Sequence, residues 1–551
     1  MFVVTQSCCS DAACVSVCPV NCIHPTPEER GFGSSDILHI DPAACIDCGA
    51  CADACPVDAI FPAENLGTRD KVFIEINADY YKKNPDVKSG WSPIVAESAA
   101  DDATSEPSIS YPEIPKLPAG LRVALVGTGP SGGYALRTLL DRTDAQITVI
   151  DKLPTPGGLV RAGVAPDHPG TKGVLRGFDL LYRDLRVTMT TNVEVGDPTT
   201  APPGVGVVSP SELAEHFDAV LYAVGASESR RLGIPGEDLP GSTSATELVA
   251  WYNAVPGADA APPIGRGASG EPGTGRAVVV GTGNVALDVA RILVSPPQLL
   301  ATTDIADRAL ALLAEQNVHE VVLLGRRDQA HAAYTSAEFR ALSTIPGVEV
   351  VIVDDPDSAP ADFSRPADPA RRRIVFLFHS APEEILGQRR VAGVRVRTGE
   401  HTHTIATDLC VRSIGYRSTP IPGLPFDQAR GVFPNVDGRM VDDTGAVIPG
   451  CYVLGWAKRG PSGGIGANKV CAQSTVEDFI RDAAAGKLIR TRRRGDEFTA
   501  LLRSRTRHVI GYRGMRAIDR IERRRGIEQG RPRVKFTRIS DMVGAAGLRK
   551  R

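Results

Sequence analysis

The chain has 551 residues, of which 42% are hydrophobic, 23% charged and 5% aromatic, and its formal net charge is −3 at pH 7. This length predicts about three or four domains, and the supply of apolar residues excludes wholesale disorder. No stretch approaches the roughly 18 uninterrupted apolar residues of a membrane span, and the start of the chain lacks the segments of a signal peptide. We therefore expect a soluble, cytoplasmic protein with no membrane partner.

The charges are unevenly distributed along the chain. Residues 1–66 contain nine acidic residues and one basic residue, whereas residues 485–551 contain 21 basic and six acidic ones. Two interpretations stay open. The charged residues either form ordinary solvated faces, or the acidic head and the basic tail attract each other or separate partners.

A cysteine-rich segment opens the chain, with nine of the twelve cysteines in the first 55 residues. Four of them form the run C-x2-C-x2-C-x3-C-P: Cys45, Cys48, Cys51 and Cys55. This is the ligand spacing of bacterial ferredoxins, in which three thiolates hold one iron–sulfur cluster and the fourth holds a second. A zinc site would need paired C-x2-C knuckles with a longer spacer, and disulfide frameworks are typical of small secreted chains.

The other N-terminal cysteines supply the missing ligands. Cys18, which precedes a proline, should complete the first cluster. The second cluster should be held by Cys55 and Cys14, together with Cys8, Cys9 or both. The sequence therefore predicts two Fe–S clusters in residues 1–66.

Residues 1–62 resemble the seven-iron bacterial ferredoxins in the blocks FVVT, CPVNCI and CPVDAIF. The resemblance implies an α+β ferredoxin-like domain over residues 1–66, one 4Fe–4S cluster, and a 3Fe–4S cluster where only three thiolates are available. The family spacing C-x7-C-x3-C-P is replaced here by Cys8-x5-Cys14 or Cys9-x4-Cys14. Because both cysteines are present, the second cluster is either 3Fe–4S or 4Fe–4S. Cys22 matches a family cysteine that is not a ligand.

Residues 67–118 are predicted to form a linker. They begin with a short strand, KVFIEI, and end in a run rich in Pro, Ser and Asp. Such a composition buries little apolar surface, so we expect a flexible tether.

A first dinucleotide fingerprint follows this linker. The strand LRVALV leads into Gly127-x-Gly129-x-x-Gly132 and a helix-like stretch, and the next strand ends in Asp151. The glycines let a pyrophosphate approach a helix N-terminus, and the acid accepts hydrogen bonds from ribose hydroxyls. An acid at this position repels a 2′-phosphate, so the site favours FAD or NAD over NADP.

The second fingerprint has the opposite selectivity. The strand AVVVG leads into Gly281-x-Gly283, and the next strand, HEVVLLG, ends in Arg326 and Arg327. Two guanidiniums there match the 2′-phosphate of NADPH, although an ordinary surface arginine pair is the alternative. Together the two sites indicate a flavoprotein reductase in which NADPH gives hydride to FAD. The C-x2-C of disulfide reductases is absent after Cys55.

Residues 120–551 resemble the adrenodoxin reductase family of NADPH–ferredoxin reductases. The matching blocks include LPTPGGLVRAGVAPDHPGTK, YAVGASESRRLGIPGEDLPG and GWAKRGPSGGIGANK. The resemblance implies two α/β Rossmann-like domains of the glutathione/adrenodoxin reductase type. The FAD-binding domain would comprise residues 119–226 and 415–551, and the NADP-binding domain residues 227–414.

The fingerprints and the resemblance together imply the cofactor contacts. The FAD contacts would be Gly127, Gly129, Ser131, Gly132, Asp151, Leu159, Val195, Trp456, Gly463, Gly464 and Ile465. The NADP contacts would be Arg230, Gly281, Thr282, Gly283, Asn284, Val285, Arg326, Arg327, Glu338 and Gly463. His168 lies near the flavin in relatives and is a possible catalytic residue, but it is equally compatible with a structural role.

Two residues depart from the family pattern. Asp328 follows the arginine pair, where the family has Gly, and an added acid beside the phosphate site is expected to weaken selectivity for NADPH. Gly464 replaces a β-branched residue, so the loop over the flavin is expected to be looser.

The sequence therefore predicts an NADPH-dependent ferredoxin reductase with its own ferredoxin domain. Electrons would pass from NADPH through FAD to the clusters and on to ferredoxin or another acceptor such as a cytochrome P450. One alternative is a small subunit of the glutamate-synthase type. The alternative of another class is a redox-sensing or nucleic-acid-binding module that uses the basic tail. That tail has no DNA-binding motif, so no nucleic-acid partner is expected.

Overall fold

A computed structural model describes residues 1–87, 117–491 and 495–547, apart from residues 30–31, 33–34, 36, 68–69, 201–203, 259, 261, 263, 265–272 and 356–362. Short strands and two helices surround the N-terminal cysteines. They are β1 (Phe2–Val4), β2 (Ile23–His24), β3 (His39–Ile40), α1 (Ala50–Ala54), β4 (Ile60–Pro62) and α2 (Val72–Lys83). β1 pairs with β4 and β2 pairs with β3, both antiparallel.

The strand predicted over KVFIEI is wrong, because these residues begin helix α2. Phe73 and Ile76 are buried on one face of the helix. Asn77 on that face accepts a hydrogen bond from the Val4 N–H (3.2 Å) and another from the Ile40 N–H (2.9 Å). A short apolar run is compatible with either structure. Residues 70–87 of the predicted linker therefore pack on the cysteine-rich region, while residues 88–116 lie outside the described residues.

The structure confirms the strand–helix–strand order that was predicted for the first fingerprint. The elements of this part are β5 (Arg122–Val126), α3 (Pro130–Arg142), β6 (Gln146–Asp151), α4 (Gly158–Ala162), α5 (Val174–Leu181), β7 (Val187–Thr191), β8 (Val193–Val195), β9 (Gly206–Val208), α6 (Pro210–His216), β10 (Ala219–Tyr222) and β11 (Glu228–Ser229).

The second fingerprint likewise forms a strand, a helix and a strand. The elements of this part are β12 (Ser242–Ser244), α7 (Ala245–Tyr252), β13 (Arg276–Val280), α8 (Asn284–Val294), α9 (Pro297–Leu300), α10 (Asp307–Glu315), β14 (Glu320–Leu324), α11 (Ser336–Leu342), β15 (Val348–Val353), β16 (Arg372–Leu377), β17 (Ser380–Leu386), β18 (Gly393–Thr398), β19 (His401–Ala406), β20 (Leu409–Arg412) and β21 (Tyr416–Arg417).

The last part of the chain is mainly helical. Its elements are β22 (Asn435–Val436), β23 (Arg439–Val441), β24 (Val447–Val453), α12 (Trp456–Arg459), α13 (Ile465–Ala484), α14 (Gly495–Arg505), α15 (Tyr512–Glu528) and α16 (Ile539–Ala545). Within the described part of the chain, every helix is too short or too polar to cross a bilayer.

Two large sheets organise these elements. The first has the order β22-β23-β24-β10-β5-β6-β7 and is parallel from β24 to β7. The second is a six-stranded parallel sheet of order β12-β20-β13-β14-β16-β15. In open parallel sheets, ligands bind in the crevice beyond the carboxyl ends of the strands. Each glycine fingerprint lies at such an end, after β5 and after β13.

Candidate cofactor sites

The first glycine loop has the close packing that a dinucleotide cradle requires. Gly127 has φ +102°, and a Cβ on it would collide with the carbonyl of Ala223. A Cβ on Gly132 would collide with the carbonyl of Gly127. Gly129 is the N-cap of α3 and provides no side-chain cap. The first N–H groups of this helix therefore point towards the crevice, where a pyrophosphate can accept from them.

Asp151 ends β6 beside this loop, and its carboxylate is already partly satisfied. It accepts hydrogen bonds from the Thr128 N–H (2.9 Å), the Thr128 hydroxyl and the Leu153 N–H (2.9 Å). Burial raises the pKa of Asp151, and these hydrogen bonds oppose the increase. A carboxylate offers about four lone-pair positions, so one position remains for a ribose hydroxyl.

A network around Asn468 brings the C-terminal FAD residues to the first loop. The Ser131 hydroxyl donates to the Asn468 side-chain oxygen (3.0 Å), and the Asn468 amide donates to the Gly464 carbonyl (3.0 Å). The Trp456 indole N–H donates to the Gly463 carbonyl (3.2 Å). Sequence reasoning missed Asn468, although it lies in the GANK block that carries the family resemblance.

The other predicted FAD residues lie around the same crevice. Ile465 begins α13 directly after Gly464. Leu159 is more than one-third exposed on α4, and a Cβ on the adjacent Gly158 would collide with Gly129. Val195 is buried in the apolar cluster that contains Val126 and Ile150.

The second glycine loop repeats the local geometry of the first. Gly281 has φ +119°, and a Cβ on it would collide with the carbonyl of Ser413. Gly283 is the N-cap of α8, again without a side-chain cap. Thr282 and Asn284 accept hydrogen bonds from the backbone N–H groups of Ala333 (3.4 Å) and Thr335 (3.0 Å). The partly buried Val285 follows in the first turn of the helix.

Arg326 and Arg327 lie just beyond β14, and both are exposed. Among the described residues, neither guanidinium has an ion-pair partner. Asp328 is paired elsewhere, because its carboxylate lies 2.6 Å from Nδ1 of His331 and accepts the His331 N–H (3.0 Å). His331 lowers the pKa of Asp328. The carboxylate that was expected to weaken NADPH selectivity is thus hydrogen-bonded to its own neighbour, and the lowered pKa keeps it ionised.

Arg230 lies at the junction between the two sheets. Its backbone N–H donates to the Gly415 carbonyl (3.0 Å), and its guanidinium donates to the Tyr416 carbonyl (3.3 Å). It lines a cavity of about 700 Å³ together with other basic residues: Arg231, Arg412, Arg417 and Arg430.

Glu338 belongs to a buried ionic cluster centred on Arg291. The Arg291 guanidinium lies 2.7 Å from Asp167, 2.5 Å from Asp288 and 3.5 Å from Glu338. His168 contributes a ring nitrogen within 4.8 Å of the Asp288 and Glu338 oxygens. Burial raises the pKa of Glu338, whereas burial and the nearby guanidinium lower that of His168. His168 is therefore a neutral imidazole at pH 7.

The N-terminal cysteines fall into two sets, and all twelve cysteines of the chain are free thiols. Burial raises the pKa of Cys51 to about 11, with further contributions from Cys45, Cys18 and Cys48. Burial likewise raises the pKa of Cys8 to about 11, with a contribution from Cys55. In Cys14 the effect of burial is strengthened by Cys8 and Cys55. Groups of buried thiols of this kind suit bound iron, which stabilises the thiolate form.

Backbone N–H groups already point at several of these sulfurs. The Ser10 N–H donates to Cys8 Sγ (3.3 Å), and the Ala59 N–H donates to Cys55 Sγ (3.2 Å). Such bonds tune the reduction potential of a cluster once its thiolates bind iron. Cys22 lies 3.4 Å from the sulfur of Cys18.

Comparison with known proteins identifies the family. The model of the 4Fe-4S binding domain matches residues 38–61, and that of the pyridine nucleotide-disulphide oxidoreductases matches residues 121–462. The probable ferredoxin/ferredoxin–NADP reductase of Mycobacterium tuberculosis is 43% identical over 99% of this chain and 94% of its own length. The chain belongs to the ferredoxin/ferredoxin–NADP reductase family.

The reductase part of this ferredoxin/ferredoxin–NADP reductase also resembles relatives that match only that part. The structure of Mycobacterium tuberculosis FprA in complex with NADPH superposes with a TM-score of 0.69 at 38% identity, covering 78% of this chain and 99% of that one. The mitochondrial NADPH:adrenodoxin oxidoreductase of Arabidopsis thaliana is 36% identical over 77% of this chain and 95% of its own length. The family resemblance predicted from the cysteine and glycine motifs is therefore confirmed.

The ferredoxin region (residues 1–87) packs directly on the reductase region (residues 117–547) of this ferredoxin/ferredoxin–NADP reductase. A Cβ on Gly466, in the first turn of α13, would collide with the carbonyl of Ser10, and a Cβ on Gly170 would collide with the Ser7 side chain. The Gln6 amide donates to Glu338 (2.9 Å). The Fe–S cysteines therefore adjoin the helix that carries the predicted FAD residue Ile465.

Among the described residues, the ion pairs across this contact have the acid on the ferredoxin side. Asp58 pairs with Arg176 (2.7 Å) and Asp79 pairs with Arg340 (2.6 Å). The Asp11 carboxylate lies 3.9 Å from Lys469, whose ammonium also donates to the Asp11 carbonyl. Asp11 and Asp58 belong to the acidic head (residues 1–66), whereas Asp79 follows it, and none of these pairs uses the basic residues 485–551.

Cys9 is buried, whereas its neighbour Cys8 is half-buried. Cys9 is 4% exposed and packs in the core cluster of the reductase region, with Tyr134 among its members. Cys8 lies at the edge of this cluster and also at the edge of the core cluster of the ferredoxin region, which contains Cys14. Cys9 thus takes part in the contact between the two regions.

Proposed function

We propose that this chain transfers electrons from NADPH to its own Fe–S clusters and on to ferredoxin or another acceptor protein, such as a cytochrome P450. The observation that carries the proposal is the contact between Ser10 and Gly466. It joins the cysteine loop to the start of the helix at the predicted FAD site. The M. tuberculosis relative that matches 99% of the chain, named a probable ferredoxin/ferredoxin–NADP reductase, supports the same activity.

The proposed FAD-binding domain comprises residues 119–226 and 415–551, and the proposed NADP-binding domain residues 227–414. When bound, NADPH and FAD would supply hydride and single-electron chemistry, and the clusters would supply one-electron transfer. The N-terminus of α3 would bind the FAD pyrophosphate, and Asp151 would orient its ribose. Arg326 and Arg327 would bind the 2′-phosphate of NADPH.

The protein's own contribution is to position groups and exclude water. Asn468 fixes the loop of Gly463 and Gly464 against Ser131. The neutral His168 adds no charge near the flavin. The docked ferredoxin region covers one side of the site, so no water layer separates the two regions at Ser10 and Gly466.

For the clusters, we propose Cys18, Cys45, Cys48 and Cys51 as ligands of a 4Fe–4S cluster. Cys8, Cys14 and Cys55 would hold the second. Cys9 is buried in the core cluster against which Cys8 and Cys55 also pack. We propose Cys8 rather than Cys9 as the ligand, which leaves three thiolates and a 3Fe–4S cluster at that site.

An anaerobic titration with NADPH tests the proposed function. Flavin absorbance and the EPR signals of the clusters should change together, at a rate independent of protein concentration because the transfer occurs within one molecule. Clusters that stay oxidised while the flavin is fully reduced would contradict the proposal.

A further inference from the structure

A groove between α5 and α15 lies apart from the predicted cofactor contacts. It encloses about 710 Å³, and none of the residues predicted to bind FAD or NADP lines it. Ten Lys and Arg residues line the groove, but only three acidic ones: Asp179, Asp304 and Asp519. Six of the ten belong to the basic residues 485–551. Cavities of this size hold small organic ligands.

Two lysines at the floor of the groove share one carboxylate. The Asp304 carboxylate lies 2.7 Å from the ammonium of Lys172 and 2.9 Å from that of Lys535, and both lysine side chains are buried. The side-chain oxygen of Asn253 accepts from both ammonium groups but carries no charge. Burial lowers the pKa of both lysines, and Lys172 lowers that of Lys535 further. Because a buried charge without a counter-charge is costly, a bound anion would stabilise this pair.

The neighbouring buried cations are already balanced. The Arg161 guanidinium lies 2.7 Å from Glu522, and that of Arg533 lies 3.0 Å from Asp519 and 3.1 Å from Glu522. The excess positive charge at the floor therefore belongs to the two lysines.

Further cations line the walls of the groove. On α15, Arg516, Arg520 and Arg524 recur every four residues, so they follow one face of the helix over about 12 Å. Among the described residues, Arg520 has no ion-pair partner, and Arg524 meets Glu528 only at 3.9 Å. On the other wall, α5 supplies Arg176. A single small anion reaches only part of this row, whereas a chain of phosphate groups can follow it.

One buried hydroxyl in the groove also lacks a partner. Tyr182 lines the groove and is 4% exposed, and its hydroxyl has no hydrogen-bond partner within the described part of the chain. Buried polar groups are normally paired, and a ligand oxygen would accept from this one. Leu180 and Ile527, which are 61% and 78% exposed, also line the groove and offer apolar contact to the rest of a ligand.

We infer that this groove, called here the α5–α15 groove, binds a small molecule that carries a chain of phosphate groups, such as a nucleoside triphosphate. Phosphate oxygens accept from guanidinium and ammonium groups alike, and they supply the negative charge that is missing beside Lys172 and Lys535. Asp304 belongs to the proposed NADP-binding domain and Lys535 to the proposed FAD-binding domain. The ligand therefore acts as an effector at the contact between these domains, with no bond made or broken.

Calorimetry with inorganic tripolyphosphate tests this inference. The cofactor-loaded full chain is first saturated with NADP+, so that the proposed coenzyme site is occupied. Tripolyphosphate should bind, and Arg520→Glu/Arg524→Glu should weaken its binding by roughly tenfold or more. The matched control Arg503→Glu/Arg507→Glu makes the same charge change at two exposed positions that do not line the groove, and it should stay within about twofold of wild type.

Flavin absorbance and EPR spectra, recorded with and without tripolyphosphate, show whether each variant keeps its cofactors. If Arg520→Glu/Arg524→Glu does not fold, Tyr182→Phe replaces it; this variant removes only the unpaired hydroxyl and should weaken binding about threefold. Absence of binding to the wild type, or equal weakening by the test and control variants, would overturn the inference. Tighter binding of a hexaglutamate peptide than of tripolyphosphate, lost in Arg520→Glu/Arg524→Glu, would also overturn it and assign the groove to an acidic protein segment.

Discussion

Replacing Arg326 and Arg327 with alanine should remove the preference for NADPH over NADH. Both guanidiniums are exposed just beyond β14, without an ion-pair partner among the described residues. A hydrogen bond to a charged group contributes about 1.5–3 kcal/mol. At the lower value, suited to exposed groups, each arginine contributes a factor of about ten, so the double variant should bind NADPH roughly a hundredfold more weakly. Salt should reduce this difference.

The assay compares kcat/KM for NADPH and NADH with ferricyanide as acceptor, alongside binding of NADP+ by calorimetry. Arg389→Ala serves as the control, because Arg389 is an exposed arginine in the turn between β17 and β18. NADH turnover should hardly change in the double variant, since NADH has no 2′-phosphate. An equal loss with both coenzymes would show that the pair is structural, and an equal effect of Arg389→Ala would show that only total charge matters.

Three further predictions concern the ferredoxin region. Cys9→Ala should leave the iron count unchanged while Cys8→Ala lowers it; loss of iron in Cys9→Ala would reverse the ligand assignment. A chain starting at Pro118 should keep FAD and reduce ferricyanide but lose most cytochrome c reduction, and residues 1–87 added in trans should restore it in a salt-sensitive way. Full cytochrome c activity in the shortened chain would place the clusters off the main electron path. Burial lowers the pKa of His39 to about 4, so the unfolded chain binds more protons below about pH 6.5. The ferredoxin region should therefore lose stability as the pH falls from about 6.5 to 4. The variant His39→Phe should lose less stability over this range, as measured by urea unfolding at several pH values. An unchanged pH dependence of stability in this variant would show that His39 is not the source of the loss.

Local patterns predicted the parts of the molecule that depend on local geometry. The two glycine loops, their flanking strands and the grouping of Cys45, Cys48 and Cys51 depend on spacing within a few residues, and spacing is visible in a sequence. Helix α2 was predicted wrongly as a strand because the apolar residues VFI are compatible with a strand and with a helix. The hydrogen bonds that Asn77 accepts from Val4 and Ile40 distinguish the two, and they are visible only in the folded chain.

Long-range contacts were beyond what a single sequence can show. Asn468 is separated from Ser131 by 337 positions, and nothing in either local pattern pairs them. The ionic cluster around Arg291 of α8 likewise includes Asp167, from the loop after α4, and Glu338 of α11. By contrast, the pairing of Asp328 with His331 spans three positions, so it was accessible to inspection of neighbouring charges.

The seating of Ser10 on Gly466 has a consequence for competition between electron carriers. A tethered domain is present at an effective concentration of the order of millimolar. A free ferredoxin of equal affinity, at about one micromolar, would occupy the same place on the reductase for roughly a thousandth of the time. The ferredoxin region therefore limits the access of free electron carriers to the flavin as well as carrying electrons itself. A free carrier would reach the flavin directly only when the ferredoxin region dissociates from the reductase region.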